Sequence, residues 1–324
     1  MKASQVIPQI AGGFVLALIA APAQGGLIIR PTFDSTITLD TNALAIETTI
    51  NSAITTYEAT FADPITVDIT FREGTGLGGS SFNLYTFDYS TFYNALVADG
   101  KSLDDAAALA HLATDGTGAN NPVTGTGTVL IKAANAHALG LDCSPDCGAD
   151  EGGTITLNTH LTNPGSSDSS GTYNLLPVLE HEMDEILGLG STLGLGLPAP
   201  FATDPSPEDF FRFTSVGARS FNGNGVGDAY FSIDGTTDLA QFDNQNNGGD
   251  FGDWRSNPLP PGANAEVQDA FATQGANPTL NVELRALDVI GYDLATPEPG
   301  TFILMGGGLV LAGFGRRRIR GAKA

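Results

Sequence analysis

The fold is decided by the stretch LLPVLEHEMDEIL, residues 175–187, which is followed by the sequence GLG. Its apolar residues recur at helical spacing, so the pattern predicts an amphipathic helix over these thirteen positions. Met183, Ile186 and Leu187 lie on the face that would pack into a core. The glycines at 188 and 190 predict that the helix ends there.

The polar face of this helix carries candidate metal ligands. Positions i and i+4 lie on one face of a helix, so His181 and Glu185 project together. An imidazole and a carboxylate one turn apart can bind the same divalent ion. Glu182 lies on the next flank, where a general base would stand beside an activated water. We therefore expect a metal site with His181 and Glu185 as ligands and Glu182 as the catalytic base.

Acidic residues are crowded on the same helix, at positions 180, 182, 184 and 185. Their mutual repulsion is unfavourable unless a cation or protonation relieves it. This crowding favours the metal hypothesis. The alternative is an ordinary helix that presents an acidic stripe to solvent.

The two ends of the chain predict export. Residues 1–23 combine an early lysine, an apolar run and the small-residue sequence Ala21-Pro22-Ala23, which is typical of a cleaved signal peptide. An uncleaved anchor is the alternative. At the other end, Pro297-Glu298-Pro299 precedes an apolar stretch at 302–314 and the cluster Arg316, Arg317, Arg318. A short apolar helix before a basic cluster inserts with its arginines in the cytoplasm.

This C-terminal arrangement, residues 296–324, resembles the PEP-CTERM sorting signal of Gram-negative bacteria. The resemblance implies processing by an exosortase-type enzyme and contact with the membrane through the C-terminal helix. An ordinary tail anchor is the alternative, and it differs only in whether the tail is later removed. In both cases we expect the domain at 24–295 to be exported to the cell surface or secreted.

The charge of the chain limits its partners. The full sequence has 14 basic and 36 acidic residues, and six of the basic residues but one acidic residue lie in the two terminal segments. The domain at 24–295 therefore has 8 basic and 35 acidic residues, a net charge near −27. Nucleic-acid binding needs a basic surface and is excluded, whereas divalent cations are favoured.

Periodicity predicts further elements on both sides of the central helix. Helices are expected at 42–60, 89–112 and 282–290, strands at 65–71, 129–131 and 153–158, and a loop at 74–79. This order predicts an α+β fold with a mixed sheet.

The only two cysteines, Cys143 and Cys147, flank a turn. In an oxidising compartment such a pair predicts a disulfide. Zinc binding by the pair is the alternative.

The helix at 175–187 resembles the H-E-x-x-H helix of zinc metalloproteases of the metzincin type. His181 and Glu182 match the first ligand and the base, whereas Glu185 stands at the position of the second histidine and Ser191 at that of the third ligand. The resemblance implies a mixed sheet with an active-site helix and an irregular C-terminal lobe. It also implies a substrate-pairing edge strand at 153–161 and a closing packing helix at 284–292.

A closer resemblance, over most of the exported domain, is to secreted metalloproteases with PEP-CTERM tails that have H-E-x-x-E at this place. The matching segments are 176–191, 207–213, 230–235 and 249–254. Zinc needs a third protein ligand, for which Asp209 and His160 are the candidates. His111 and His137 are interpreted as structural.

The segment at 243–250 is rich in oxygen donors and glycine. It departs from an EF-hand loop, so a solvated turn is the favoured interpretation and a calcium site the alternative.

The function expected is that of a metal-dependent peptidase acting on a protein or peptide. The alternatives are a non-catalytic relative that binds a surface or matrix, and a glycan-active protein.

Overall fold

The structure is a computed structural model that describes residues 26–295 apart from 113–117, 165–170, 224–227, 258, 260 and 261. The predicted signal peptide at 1–23 and sorting tail at 296–324 lie outside the described residues. Within them, helices and sheets are mixed along the chain, which confirms the α+β fold class. No helix in this described part has the length and apolar character needed to cross a membrane.

The described helices are α1 Ser35–Thr38, α2 Ala43–Thr60, α3 Tyr89–Asp99, α4 Leu103–Leu112, α5 Ala133–Ala138, α6 Leu175–Leu187 and α7 Val282–Val289. The strands are β1 Ile28–Phe33, β2 Thr66–Glu73, β3 Gly78–Ser81, β4 Leu84–Asp88, β5 Thr128–Lys132, β6 Glu151–Leu157, β7 Thr162–Asn163, β8 Tyr173–Asn174, β9 Arg212–Ser215, β10 Ala218–Arg219, β11 Tyr230–Phe231 and β12 Ala240–Gln241. Most predicted elements are thereby confirmed to within two residues.

One predicted helix is wrong, because the span 89–112 forms two helices, α3 and α4. The amide of Gly100 closes α3 on the carbonyl of Leu96 at 2.9 Å. The amide of Ser102 then donates to Asp105 Oδ2 at 2.8 Å, and the amide of Asp105 donates to Ser102 Oγ at 2.9 Å. This reciprocal pair is a capping box, which starts a new helix where the alanine-rich pattern continues without a visible break.

The central sheet has the strand order β1-β2-β6-β3. The first three strands are parallel, and β3 is antiparallel to β6 with Gly78 opposite Leu157 and Ser81 opposite Thr154. The edge strand expected at 153–161 is therefore wrong: β6 is an interior strand and β3 forms the edge. The predicted loop at 74–79 is wrong at its end, because β3 begins at Gly78. The segment Gly78–Ser81 consists of glycine and serine only, so it shows no apolar alternation.

Helix α6 lies at the centre of the packing, in contact with β3 and β6 on one side and with α2 and α7 on another. The Asn174 side chain accepts the amide of Leu176 at 3.1 Å and starts the helix. Gly188 ends it at φ +154°, where a side chain would be strained. The expected packing helix is confirmed as α7, and the following Tyr292 hydroxyl donates to the Leu187 carbonyl at 2.7 Å.

The C-terminal lobe, residues 188–281, was expected to be irregular. Its described part contains a small antiparallel sheet, β10-β9-β11-β12, with strands of two to four residues. A buried aromatic cluster packs beside it, made of Phe211, Phe231, Phe242 and Trp254. Trp254 forms isolated β-bridges with Phe242 and with Asp269, which align the segments around these two residues on either side of it.

Candidate metal site

His181 projects from α6 with its two ring nitrogens in different environments. Its Nδ1 atom lies 3.1 Å from the carbonyl oxygen of Val267, to which it can donate. In the neutral imidazole, that bond selects the tautomer in which Nε2 carries the lone pair. One nitrogen is thereby anchored, as in metal-binding histidines, and the side-chain amide of Gln268 lies 3.4 Å from the other.

Two carboxylates converge on Nε2 of His181. Nε2 of His181 lies 3.9 Å from Oε1 of Glu185 and 3.7 Å from Oδ1 of Asp253. Ligand atoms of the three residues all lie within 4.8 Å of one another. The structure thus brings together the two candidate ligands expected on the helix and adds a third candidate, Asp253, that the sequence did not indicate.

Asp253 reaches the helix because the loop around it approaches closely. A side chain at Gly252 would stand 2.4 Å from the amide nitrogen of Ser191, so only glycine fits there. The buried Arg212 donates to the carbonyl of Phe251. Gln268 donates to Asp253 Oδ1 at 3.0 Å. The aspartate lies in one of the segments quoted for the resemblance, 249–254, and that was its only signal in the sequence.

Neighbouring groups also orient Glu185. The Ser80 hydroxyl of β3 donates to Glu185 Oε2 at 2.5 Å, and this leaves Oε1 directed at His181. The buried Lys132 amino group donates to the Glu185 carbonyl at 2.6 Å and to that of Leu189. The end of α6 is therefore held by the last residue of β5, which fixes the position of the Glu185 backbone.

Glu182 is buried beside the three converging residues and outside their group. It leans against β3 at Gly78, where an added Cβ would stand 2.3 Å from Glu182 Oε1. Both Glu182 and the three converging residues line a cleft of about 370 Å³. We call this the α6 cleft; its walls are β3, α6 and the segment 265–278.

The electrostatics of the α6 cleft favour a cation. Burial raises the pKa values of Glu182 and Asp253, and the charge of Glu185 raises both further. Burial opposes the charged form of His181, but the charges of Asp253, Glu182 and Glu185 outweigh it and raise the His181 pKa to about 10. The raised pKa values mean that, when no metal is bound, protons reduce the repulsion between the carboxylates of this cluster. A divalent ion would displace these protons on binding.

The other two acids of the crowded helix face elsewhere. Glu180 and Asp184 turn toward the core, where burial and the nearby Glu283 raise the pKa of both, that of Glu180 to about 7. The Tyr57 hydroxyl donates to Asp184 Oδ1 at 2.6 Å. The four acidic residues are thus divided between two faces of the helix. On the core face, the raised pKa values favour the neutral forms of Glu180 and Asp184, and a hydrogen bond further stabilises Asp184.

The two other predicted zinc ligands lie away from His181. Asp209 is buried, and its carboxylate accepts the hydroxyl of Ser191 at 2.5 Å and the amide of Ser206 at 2.9 Å. Through these hydrogen bonds, the Asp209 carboxylate stabilises the turn after α6. His160 is exposed on the turn after β6. Neither belongs to the converging group of ligand atoms.

Cys143 and Cys147 form a disulfide, as predicted. His137 lies beside them, with Nε2 at 3.6 Å and 3.5 Å from the two sulfur atoms.

The calcium site considered at 243–250 stays a prediction. Asp243 is buried and accepts the amide of the Asn247 side chain at 2.9 Å, whereas Asp250 lines the α6 cleft. Among the described residues, this loop supplies no group of three converging histidine, cysteine or acidic ligands.

Comparison with known proteins identifies the C-terminal tail. A family model described as the PEP-CTERM protein-sorting motif matches residues 295–319, which include Pro297, Glu298, Pro299 and the arginines at 316–318. No curated protein and no solved structure matches the chain, so the resemblance to metalloproteases gains no support from these comparisons. The matched tail marks an exported protein that is sorted to the cell surface through a PEP-CTERM signal, with an exosortase as its processing partner.

Proposed function

We propose that the exported domain is a metal-dependent peptidase in which His181, Glu185 and Asp253 hold zinc and Glu182 is the general base. The observation that carries this proposal is the convergence of the three side chains on one point, with His181 Nε2 at 3.9 Å and 3.7 Å from the two carboxylates. Three protein ligands that leave one position open are typical of catalytic zinc.

The surroundings of the three ligands support a metal site over a chance cluster. Val267, Ser80 and Gln268 each hold one ligand by a hydrogen bond, and such outer partners orient the ligands of functional metal sites. The residues present therefore fit a divalent ion. Zinc bound here would polarise a substrate carbonyl and make a water more acidic.

The position of Glu182 suits proton transfer. It is adjacent in sequence to the ligand His181, is buried, and lines the same cleft. Zinc held by the neighbouring ligands would keep the Glu182 carboxyl ionised, so that it could take the proton of the attacking water and pass it to the leaving amine. Glu185 and Asp253 have the separate task of holding the ion.

A peptide is the substrate that the α6 cleft fits best. Strand β3 pairs with β6 on one side, and its residues 78–80 line the α6 cleft. An edge strand offers unpaired amides and carbonyls to an extended peptide, which can add to the sheet as a further strand. A peptide bound in this way would lie along β3, beside the ligands on α6.

A second function, cation binding by a non-catalytic surface or matrix protein, is favoured by the ligand types. Two carboxylate ligands neutralise the two positive charges of a divalent ion. In a site with more histidine ligands, which are neutral, the complex of ion and ligands keeps a net positive charge. The acidifying effect on water is correspondingly weaker. This ligand set would suit a structural cation or a slow, specialised enzyme.

The test compares the wild type with Glu182→Gln and a matched Glu180→Gln control on the same helix. The peptidase proposal predicts that Glu182→Gln keeps its zinc and loses about 10²- to 10⁴-fold in cleavage of an unfolded protein substrate. The Glu180 variant, changed on the core face, should keep both properties. Zinc binding without any cleavage by the wild type would favour the second function, and no zinc binding at all would overturn the peptidase proposal.

A further inference from the structure

A second group of metal-ligating side chains lies outside the α6 cleft. It consists of His137 at the end of α5 and of Cys143 and Cys147 in the turn before β6. Nε2 of His137 is nearly equidistant from the two sulfur atoms, at 3.6 Å and 3.5 Å.

These distances match a zinc tetrahedron. With Zn–S near 2.3 Å and Zn–N near 2.1 Å, a tetrahedral site separates nitrogen from sulfur by about 3.5–3.6 Å. Both nitrogen–sulfur edges therefore already have the required length. Only the edge between the two sulfur atoms has to open, by rotation of the two cysteine side chains once their bond is broken.

The surrounding structure would keep the group together after that bond is broken. The Cys143 carbonyl accepts the amides of Asp146 at 2.9 Å and of Cys147 at 3.2 Å, so the turn that carries both sulfurs is closed by the backbone. Ala133 packs against the cysteines from one side, with Tyr85 and Phe87. On the other side, His137 and Cys147 line an open groove from which water can supply a fourth ligand.

We propose that the 137/143/147 group is a redox-controlled site for zinc or a similar thiophilic metal ion. A dithiol reductant breaks the sulfur–sulfur bond, is itself oxidised to a disulfide, and leaves two cysteine thiols. The metal ion then binds both sulfurs and His137 Nε2, and the two thiol protons are released to solvent. In the reverse direction, thiol–disulfide exchange with a disulfide oxidant re-forms the Cys143–Cys147 bond, reduces that oxidant to thiols and releases the ion. This site is independent of the α6 cleft and of the peptidase proposal.

The test measures bound zinc in the full-length protein after anaerobic equilibration with zinc and buffer exchange, with and without a phosphine reductant. Reduction should add about one equivalent of zinc to whatever the oxidised protein holds. Cobalt in place of zinc should give a thiolate-to-metal charge-transfer band in the reduced protein only, because the α6 cleft has no sulfur ligand. The comparison uses one chain in two redox states, so it does not depend on the folding of any variant.

Variants then assign the additional equivalent. His137→Ala and the double change Cys143→Ser with Cys147→Ser should each abolish it, whereas His111→Ala, at an exposed histidine, should keep it. His181→Ala should also keep it, even if that variant loses zinc from the α6 cleft. An unchanged zinc content on reduction, or an added equivalent that survives the double cysteine change, would overturn the proposal.

Discussion

Nε2 of His181 lies 3.7 Å from Oδ1 of Asp253, although the two residues come from different parts of the fold. His181 is on α6, packed against the central sheet, and Asp253 is on a loop of the C-terminal lobe. A side chain of the helix thus lies next to a side chain of the lobe. The lobe therefore has a direct part in the proposed chemistry, because it supplies the third metal ligand.

Asp253→Asn should weaken zinc binding by at least the 10- to 100-fold that removal of an outer-sphere partner costs. The amide has the shape of the carboxylate but lacks the charge that a metal ligand needs. Isothermal titration with zinc under oxidising conditions measures the change. Asp250→Asn is the control, since Asp250 lines the same cleft outside the ligand group. Equal losses in both variants would contradict the assignment of Asp253.

Ser80→Ala should lower zinc affinity by about 10- to 100-fold while Glu185 stays in place. The change removes the 2.5 Å hydrogen bond that directs the other Glu185 oxygen at His181. Ser81→Ala is a close control, because Ser81 is the next residue of the same strand and is exposed. Competition with a chromogenic chelator compares the three proteins. An unchanged affinity for Ser80→Ala would show that this bond does not orient the ligand.

Gly78→Ala should separate catalysis from metal binding. The new methyl group would stand 2.3 Å from Glu182 Oε1, so the flexible Glu182 side chain must move away while the ligands keep their places. Cleavage should fall and zinc content should stay constant. Gly79→Ala, where the added atom meets nothing within 4 Å, should leave both unchanged. Full cleavage by Gly78→Ala would argue against Glu182 as the base.

Zinc binding should be accompanied by proton release and should weaken as the pH falls. The pKa of His181 is raised to about 10 by its acidic neighbours, so below that pH the imidazole must give up its proton to the solvent when the metal binds. Titrations in buffers of different ionisation enthalpy count the protons released. A pH-independent affinity between 6 and 9, roughly the range in which these groups exchange protons, would contradict the ligand role of His181.

The free energy of unfolding should depend on pH through the ionisation of Asp63, a residue outside the α6 cleft. Burial raises the pKa of this carboxyl to about 7, from 3.8 for the unperturbed group. A raised pKa stabilises the fold at low pH, and this contribution is lost as the pH rises from about 4 to about 7. Asp63→Asn should therefore be more stable than the wild type at pH 8, by up to a few kcal/mol. Urea unfolding at pH 4 and pH 8 measures this, with the exposed Asp228→Asn as the control.

The local sequence pattern predicts the helix that carries the candidate site, but it does not predict the third candidate ligand, Asp253. The limits of α6 and the shared face of His181 and Glu185 follow from helical periodicity. Asp253 could not be assigned, because its approach depends on the close contact at Gly252 and on the packing of Trp254 between two loops. Strand β3 was missed for a related reason. Its glycines and serines show no alternation, and only pairing with β6 makes the segment a strand.

The acidic residue that was expected to complete the site illustrates the same limit. Asp209 lies in a conspicuous acidic motif, yet its carboxylate is occupied by hydrogen bonds from Ser191 and Ser206. A buried carboxylate of this kind is indistinguishable in sequence from a metal ligand. Three-dimensional contacts decide between the two roles.

Anomalous diffraction at the zinc edge, on crystals of the oxidised protein grown with zinc, tests the central claim most directly. The account predicts one peak at about 2.0–2.2 Å from Nε2 of His181 and from one carboxylate oxygen each of Glu185 and Asp253. A zinc peak elsewhere, or an α6 cleft without zinc at saturating metal, would contradict it.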